Sequence, residues 1–230
     1  MKFLLTSSGI SNKSIQSALV GLLGKPIAES DALVIPTSAY WFAQGPDIAY
    51  RLISGKARSP MVELGWKSVG VLELTALPGI DREAWVPRVQ ATDAFLVGGG
   101  DPMYLCDWMR KSGFAEVMTS LRPETVYVGI SGGSMAVTPS LGKTYNGRNT
   151  AGYKALGLVP FSMGVHLDHP DMPDNALAEY EKWAADIPNP TYAIDDQTAI
   201  KVVDGSIEVI SEGHWKLLER HASAVSRSRG

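Results

Sequence analysis

Val126-Tyr127-Val128-Gly129-Ile130-Ser131-Gly132-Gly133-Ser134-Met135 decides how this chain is read. Residues 126–130 form an apolar run of the length of a buried strand. The run ends in Gly129-Ile130-Ser131-Gly132-Gly133, and Met135-Ala136-Val137 then open a helix-compatible turn. This is G-x-S-x-G between a strand and a helix, the setting of a nucleophile elbow. A serine lifted off a strand end sits in a strained turn, where glycines on either side avoid clashes and the following N–H can face a developing oxyanion. Gly and Ser are common, so a plain structural turn is the competing reading.

Upstream, residues 3–6 read as a first strand and 33–36 as a second that Pro36 stops. Residues 68–74 make a third and 94–97 a fourth. Between them, Ser11 or Asn12 caps a helix to Leu23 with Ile15, Leu19, Leu22 and Leu23 on one face. Further helices are expected from Pro46-Asp47 to Ile53, over 81–89 with Pro87 shortening it, and over 103–110 behind Pro102. Downstream, residues 198–203 and 206–210 flank Asp204-Gly205 as a hairpin. Alternating strands and helices predict a three-layer α/β/α sandwich with a mostly parallel sheet. The elbow follows its fifth strand, and the C-terminal hairpin is an antiparallel flank. One domain over residues 1–221 is expected, with a disordered tail over 222–230.

Composition narrows the function classes. Of 230 residues, 45% are hydrophobic, enough for a sizeable core. A net charge of −3 does not supply the basic face of a nucleic-acid binder. No apolar run approaches the ~18 residues of a membrane span, and residues 1–9 read as strand and turn rather than signal peptide. Cys106 is the single cysteine, so no internal disulfide forms and the cytoplasm is the expected compartment.

In open α/β sheets, chemistry gathers beyond the carboxyl ends of the strands. Two glycine-bearing ends are expected there, Gly98-Gly99-Gly100 and Ser131-Gly132, and together Gly99, Gly100 and Gly132 could surround one oxyanion. The alternatives for the first cluster are a plain strand–helix turn or a phosphate cradle, although it lacks the remaining residues of a dinucleotide fingerprint or a P-loop. A nucleophilic serine needs a base. His166 ends a strand-like approach over 161–166 and is the first choice. His169 lies in a proline-flanked loop, and His214 and His221 read as surface residues.

Four ordered segments resemble the peptidase E family of serine peptidases, which includes aspartyl dipeptidases and cyanophycinases. They are Phe95-Leu96-Val97-Gly98-Gly99-Gly100-Asp101-Pro102 with Tyr104-Leu105, Gly129-Ile130-Ser131-Gly132-Gly133-Ser134, Leu156-Gly157-Leu158-Val159-Pro160-Phe161, and Val165-His166. The resemblance implies a fold similar to class I glutamine amidotransferases, with Ser131 as nucleophile and His166 as general base. It implies a peptidase of short peptides, dipeptidase-like, working through an acyl-enzyme. Amidotransferases carry cysteine at the elbow, whereas Cys106 lies on the helix after the glycine turn.

Two positions depart from the family pattern. The third catalytic residue is expected to be an acid shortly after the serine, yet residues 132–167 contain no Asp or Glu, and Asn146 to Asn149 occupy the matching positions. Asn146 could orient the histidine, Asp168 or another later acid could replace it, or the protein could be a weak or retired relative. The segment 167–181 also lacks Lys and Arg but holds Asp168, Asp171, Asp174, Glu179 and Glu181. Those acids, Asp168 first, would repel an aspartyl side chain and favour a substrate amine or basic side chain. The plain alternative puts Glu179 and Glu181 on a solvated helix face.

Tyr40, Trp41 and Phe42 are either pocket lining or packing. Neither a metal cluster nor a cofactor motif is expected. The expected partners are a short peptide or small amide and a second copy of the chain, with no nucleic acid or membrane. Hydrolysis of a non-peptide amide or ester is the remaining enzymatic alternative.

Overall fold

The structure, a computed structural model, describes residues 1–218. The expected tail over 222–230 and His221 lie outside the described residues. In chain order come β1 (Lys2–Thr6), α1 (Lys13–Leu23), β2 (Asp31–Ile35), α2 (Gly45–Ile53), β3 (Ser68–Val71), α3 (Arg82–Ala91) and β4 (Ala94–Val97). They are followed by α4 (Pro102–Lys111), α5 (Phe114–Met118), β5 (Val126–Ile130) and α6 (Gly132–Met135). The last part holds β6 (Thr144–Tyr145), β7 (Arg148–Asn149), β8 (Ser162–Gly164), α7 (Leu177–Ala184), β9 (Thr191–Ile194), β10 (Thr198–Val203), β11 (Ser206–Ser211) and β12 (Trp215–Leu218).

Seven strands form the main sheet in the order β11-β10-β1-β5-β4-β2-β3. From β1 to β3 every neighbouring pair is parallel, while β10 and β11 join antiparallel at the β1 edge. The sheet is therefore mostly parallel with an antiparallel hairpin flank.

Strand alternation sends successive side chains to opposite faces. Leu4, Val34, Leu96, Val126 and Val128 pack with Ile15, Leu19 and Leu22 of α1 and Leu52 of α2. Phe3, Phe95, Val97 and Tyr127 pack on the other face with Trp85, Leu105, Met109 and Phe114 of α3 to α5. These are the three layers. Asn12 is the cap of α1, its side chain accepting from the Ile15 N–H at 2.9 Å.

Three details differ from expectation. The third strand stops at Val71 rather than running to residue 74, although the Leu72 N–H still bonds the Val34 carbonyl at 2.8 Å. Pro87 does not shorten α3, which continues to Ala91 because Trp85 and Val89 are buried against the sheet on either side of it. The approach to His166 is a short strand of a second sheet, β12-β9-β8, in which β8 and β9 run parallel. That small sheet places two further strand ends beside the end of β5. Among the described residues no helix is long and apolar enough to cross a membrane.

Candidate active site

Ser131 leaves β5 with φ 48° and ψ −118°, a conformation that costs a non-glycine residue energy and recurs at functional sites. Its neighbours hold it there. The Ser131 N–H is shared between the carbonyls of Thr6 and Ser7, both at 3.1 Å. The buried Tyr127 hydroxyl donates to the Gly133 carbonyl at 2.7 Å, and Ser134 Oγ donates to the Thr6 carbonyl at 2.7 Å. A side chain at Gly132 would overlap the carbonyl of Gly100, so the two glycine-bearing strand ends abut beside Ser131. Gly100 itself has φ 147° and lies against the Ser38 backbone. Among the described residues the N–H groups of Gly99, Gly100 and Gly132 find no acceptor within the protein.

His166 follows the carboxyl end of β8, with φ 58°. Its Nε2 lies 3.0 Å from Ser131 Oγ, and its Nδ1 lies 2.6 Å from Asp196 Oδ1. Asp196 stands just past the end of β9, the parallel neighbour of β8. The carboxylate cannot donate, so Nδ1 carries the proton and Nε2 is left to accept from the serine. Ser7, just past the end of β1, completes the arrangement. Its Oγ donates to Asp196 Oδ1 at 2.6 Å and accepts the His166 N–H at 2.8 Å. Burial tends to raise the Asp196 carboxyl, but the bonds from His166 and Ser7 and the nearby histidines hold it below its ordinary value.

Ser131 and His166 are thus brought together as the sequence suggested, and the acid beside them is Asp196. Asn146 does not reach the histidine. It sits in the turn between β6 and β7 with φ 47° and lines the cavity in front of Ser131. Asp168, by contrast, does not line that cavity. Its Oδ1 accepts the Leu177 N–H at 2.9 Å, and its Oδ2 faces His214. His169 Nε2 stands 3.8 Å from Asp196 Oδ2, and its Nδ1 accepts the Asp171 N–H at 3.1 Å.

Sequence reading missed Asp196 and Ser7. The available signal was positional: Ser7, Ser131, His166 and Asp196 each lie one or two residues beyond the carboxyl end of a strand, the place where open sheets collect their chemistry.

The cavity at Ser131 measures about 750 Å³. Phe42 and Tyr180 line it, as do Asp171, Asp174 and Glu179, and among the described residues neither Lys nor Arg lines it. Trp41 packs away from it, on Tyr104 and over the Arg148 guanidinium, which pairs with the buried Asp101. Cys106 is buried, its Sγ 3.3 Å from the Ala136 carbonyl, and burial pushes the thiol up to about 12. Among the described residues no group of three or more His, Cys, Asp or Glu is placed to hold a metal ion.

Residues 3–210 match the model of peptidase family S51. None of the curated proteins matches significantly. Among solved structures, a peptidase from an acI-B1 Actinobacterium superposes with a TM-score of 0.68 at 19% identity, covering 95% of this chain and 90% of that one. A candidate peptidase E protein from Listeria monocytogenes EGD-e superposes with a TM-score of 0.63 at 16% identity, covering 92% and 98%. Both likenesses concern the fold. The match of nearly the whole chain to the family model means that the chain belongs to peptidase family S51, and so to the serine-type peptidases that act on short peptides.

Proposed function

We propose that Ser131, His166 and Asp196 are the catalytic triad of this peptidase. The observation that carries the reading is the continuous chain of contacts, 3.0 Å from Ser131 Oγ to His166 Nε2 and 2.6 Å from His166 Nδ1 to Asp196 Oδ1. Ser131 Oγ attacks the peptide carbonyl while His166 Nε2 takes its proton, and Asp196 stabilises the imidazolium that forms. The N–H of Gly132 and those of the Gly99-Gly100 turn hold the oxyanion, each such donor contributing about 3 kcal/mol to the transition state. His166 then protonates the leaving amine, the C–N bond breaks, and water activated by the same imidazole hydrolyses the acyl-enzyme. Asp196 supplies the carboxylate whose absence near the serine motivated the retired-enzyme reading. Catalysis therefore does not require Asn146.

The substrate on this reading is a short peptide presenting positive charge to the cavity, its free amino group or a basic N-terminal side chain. Asp171 and Asp174 line the cavity and have no ion pair among the described residues, and Glu179 is paired with Lys182 at 2.6 Å. Exposed pairs contribute about 0.2–1 kcal/mol each, so the discrimination accumulates over the group and weakens with salt. The cytoplasm is the compartment that suits a peptidase confined to such small substrates.

A dipeptide panel with basic, neutral and acidic N-terminal residues tests this reading. The expected kcat/KM order is basic, then neutral, then acidic, with the spread narrowing in salt. Preference for an acidic N-terminal residue would overturn the assignment of the cavity, and turnover surviving in Ser131→Ala would overturn the mechanism.

A further inference from the structure

His214, on the loop between β11 and β12, lies behind the triad and touches both segments that carry its base and its acid. Its Nε2 is 3.1 Å from Asp168 Oδ2, and its Nδ1 is 3.1 Å from Asp195 Oδ2. Asp168 follows His166 by two positions, and Asp195 immediately precedes Asp196.

Both carboxylates are fixed in place. Asp195 is nearly buried, its Oδ1 accepting from Thr198 Oγ1 at 2.6 Å and from the Gln197 N–H at 3.1 Å, and its Oδ2 accepting the His214 N–H at 2.8 Å. Asp168 has φ 53° and organises the loop that follows His166, donating its N–H to the Asn175 carbonyl at 3.0 Å and accepting from Leu177.

The hydrogen bond of the His214 ring is made by Nε2, and because a carboxylate only accepts, Nε2 carries the proton that Asp168 Oδ2 receives. Asp195 is held to the same residue through the main chain, its Oδ2 accepting the His214 N–H. Among the described residues the charged groups within ion-pair distance of the ring are Asp168 and Asp195, and neither has a Lys or Arg partner. Glu212, on the same loop, is turned away to the N–H and hydroxyl of Ser14.

We propose that His214 is a positioning residue which, through its ring bond to Asp168 and its main-chain N–H bond to Asp195, clamps the loop carrying His166 to the turn carrying Asp196. The proposal rests on the triad reading above. Its effect is on registration rather than stability, because the side chain is 58% exposed and an exposed pair contributes little to folding. Catalysis is far more sensitive, since a 1 Å misplacement can cost about 10²-fold in rate.

The test compares the wild type with His214→Gln, Asp168→Asn and the double variant. In His214→Gln kcat falls about tenfold with KM little changed and the melting temperature nearly constant. The double variant is no slower than either single one, because both remove the same contact. The proton resonance of His166 Nδ1–H, read without substrate, shifts or broadens in both single variants. An unchanged kcat, or an unmoved His166 resonance, overturns the clamp. Absence of all turnover with a resonance that still moves overturns the peptidase reading and leaves the clamp standing.

Discussion

Asp196 Oδ1 and His166 Nδ1 lie 2.6 Å apart, at the edge of the imidazole ring remote from Ser131. The acid reaches that position from the turn after β9, not from the segment after the serine. Replacing it with an amide keeps the size but lets the wrong tautomer of the histidine form. Asp196→Asn therefore lowers kcat by about 10⁴-fold, whereas Asn146→Asp gives no large gain. Steady-state turnover of a dipeptide by both variants checks the pair, and a large gain in Asn146→Asp would move the acid back to the β6–β7 turn.

Ser7 links β1 to both partners, donating to Asp196 and accepting the His166 N–H. Ser7→Ala leaves that N–H without its acceptor, a loss of about 1–3 kcal/mol for a buried donor. The expected outcome is a drop in kcat of about an order of magnitude with the fold retained, read from kinetics alongside circular dichroism. Wild-type kcat in the variant would show that Ser7 does not hold the triad.

Cys106 lies on α4, where burial raises its thiol to about 12. The thiolate is the reactive form and is scarce at neutral pH. Iodoacetamide is expected to modify Cys106 in urea but not in the native protein, with peptidase activity unaffected. Rapid inactivation through Cys106 would make the cysteine part of the site.

The Asp196 carboxyl is held below its ordinary value in the folded state, with burial opposed and outweighed by its bonds to His166 and Ser7. A depressed folded value stabilises the protein above the unfolded carboxyl range, near 4, and that contribution fades as pH falls through the folded value. The difference in melting temperature between wild type and Asp196→Asn should therefore shrink on acidification below about pH 4. A difference that persists unchanged would contradict the ionic role.

Much of the fold was legible because its signals are local. The apolar run at 126–130, the glycines at 98–100 and the Asp204-Gly205 hairpin each specify their backbone with neighbouring residues. The placement of Ser131 and His166 could be read for the same reason, each at the end of a short apolar approach. Asp196 could not, because its relation to His166 is made by the pairing of β8 with β9 across 30 positions of chain, and nothing in Asp195-Asp196-Gln197 marks one acid over the other. Asp168 looked like a substrate contact from its place after His166, but its left-handed backbone turns it to His214. Pro87 does not shorten α3 because burial of Trp85 and Val89 outweighs one missing hydrogen bond.

The most direct test of the central claim is covalent labelling of the native protein with a fluorophosphonate, followed by peptide mass mapping. A serine activated by His166 and Asp196 is predicted to carry the adduct at Ser131, with labelling abolished in Ser131→Ala and strongly slowed in Asp196→Asn. A folded protein left unlabelled at Ser131, or labelled equally fast without the Asp196 carboxylate, would contradict the triad.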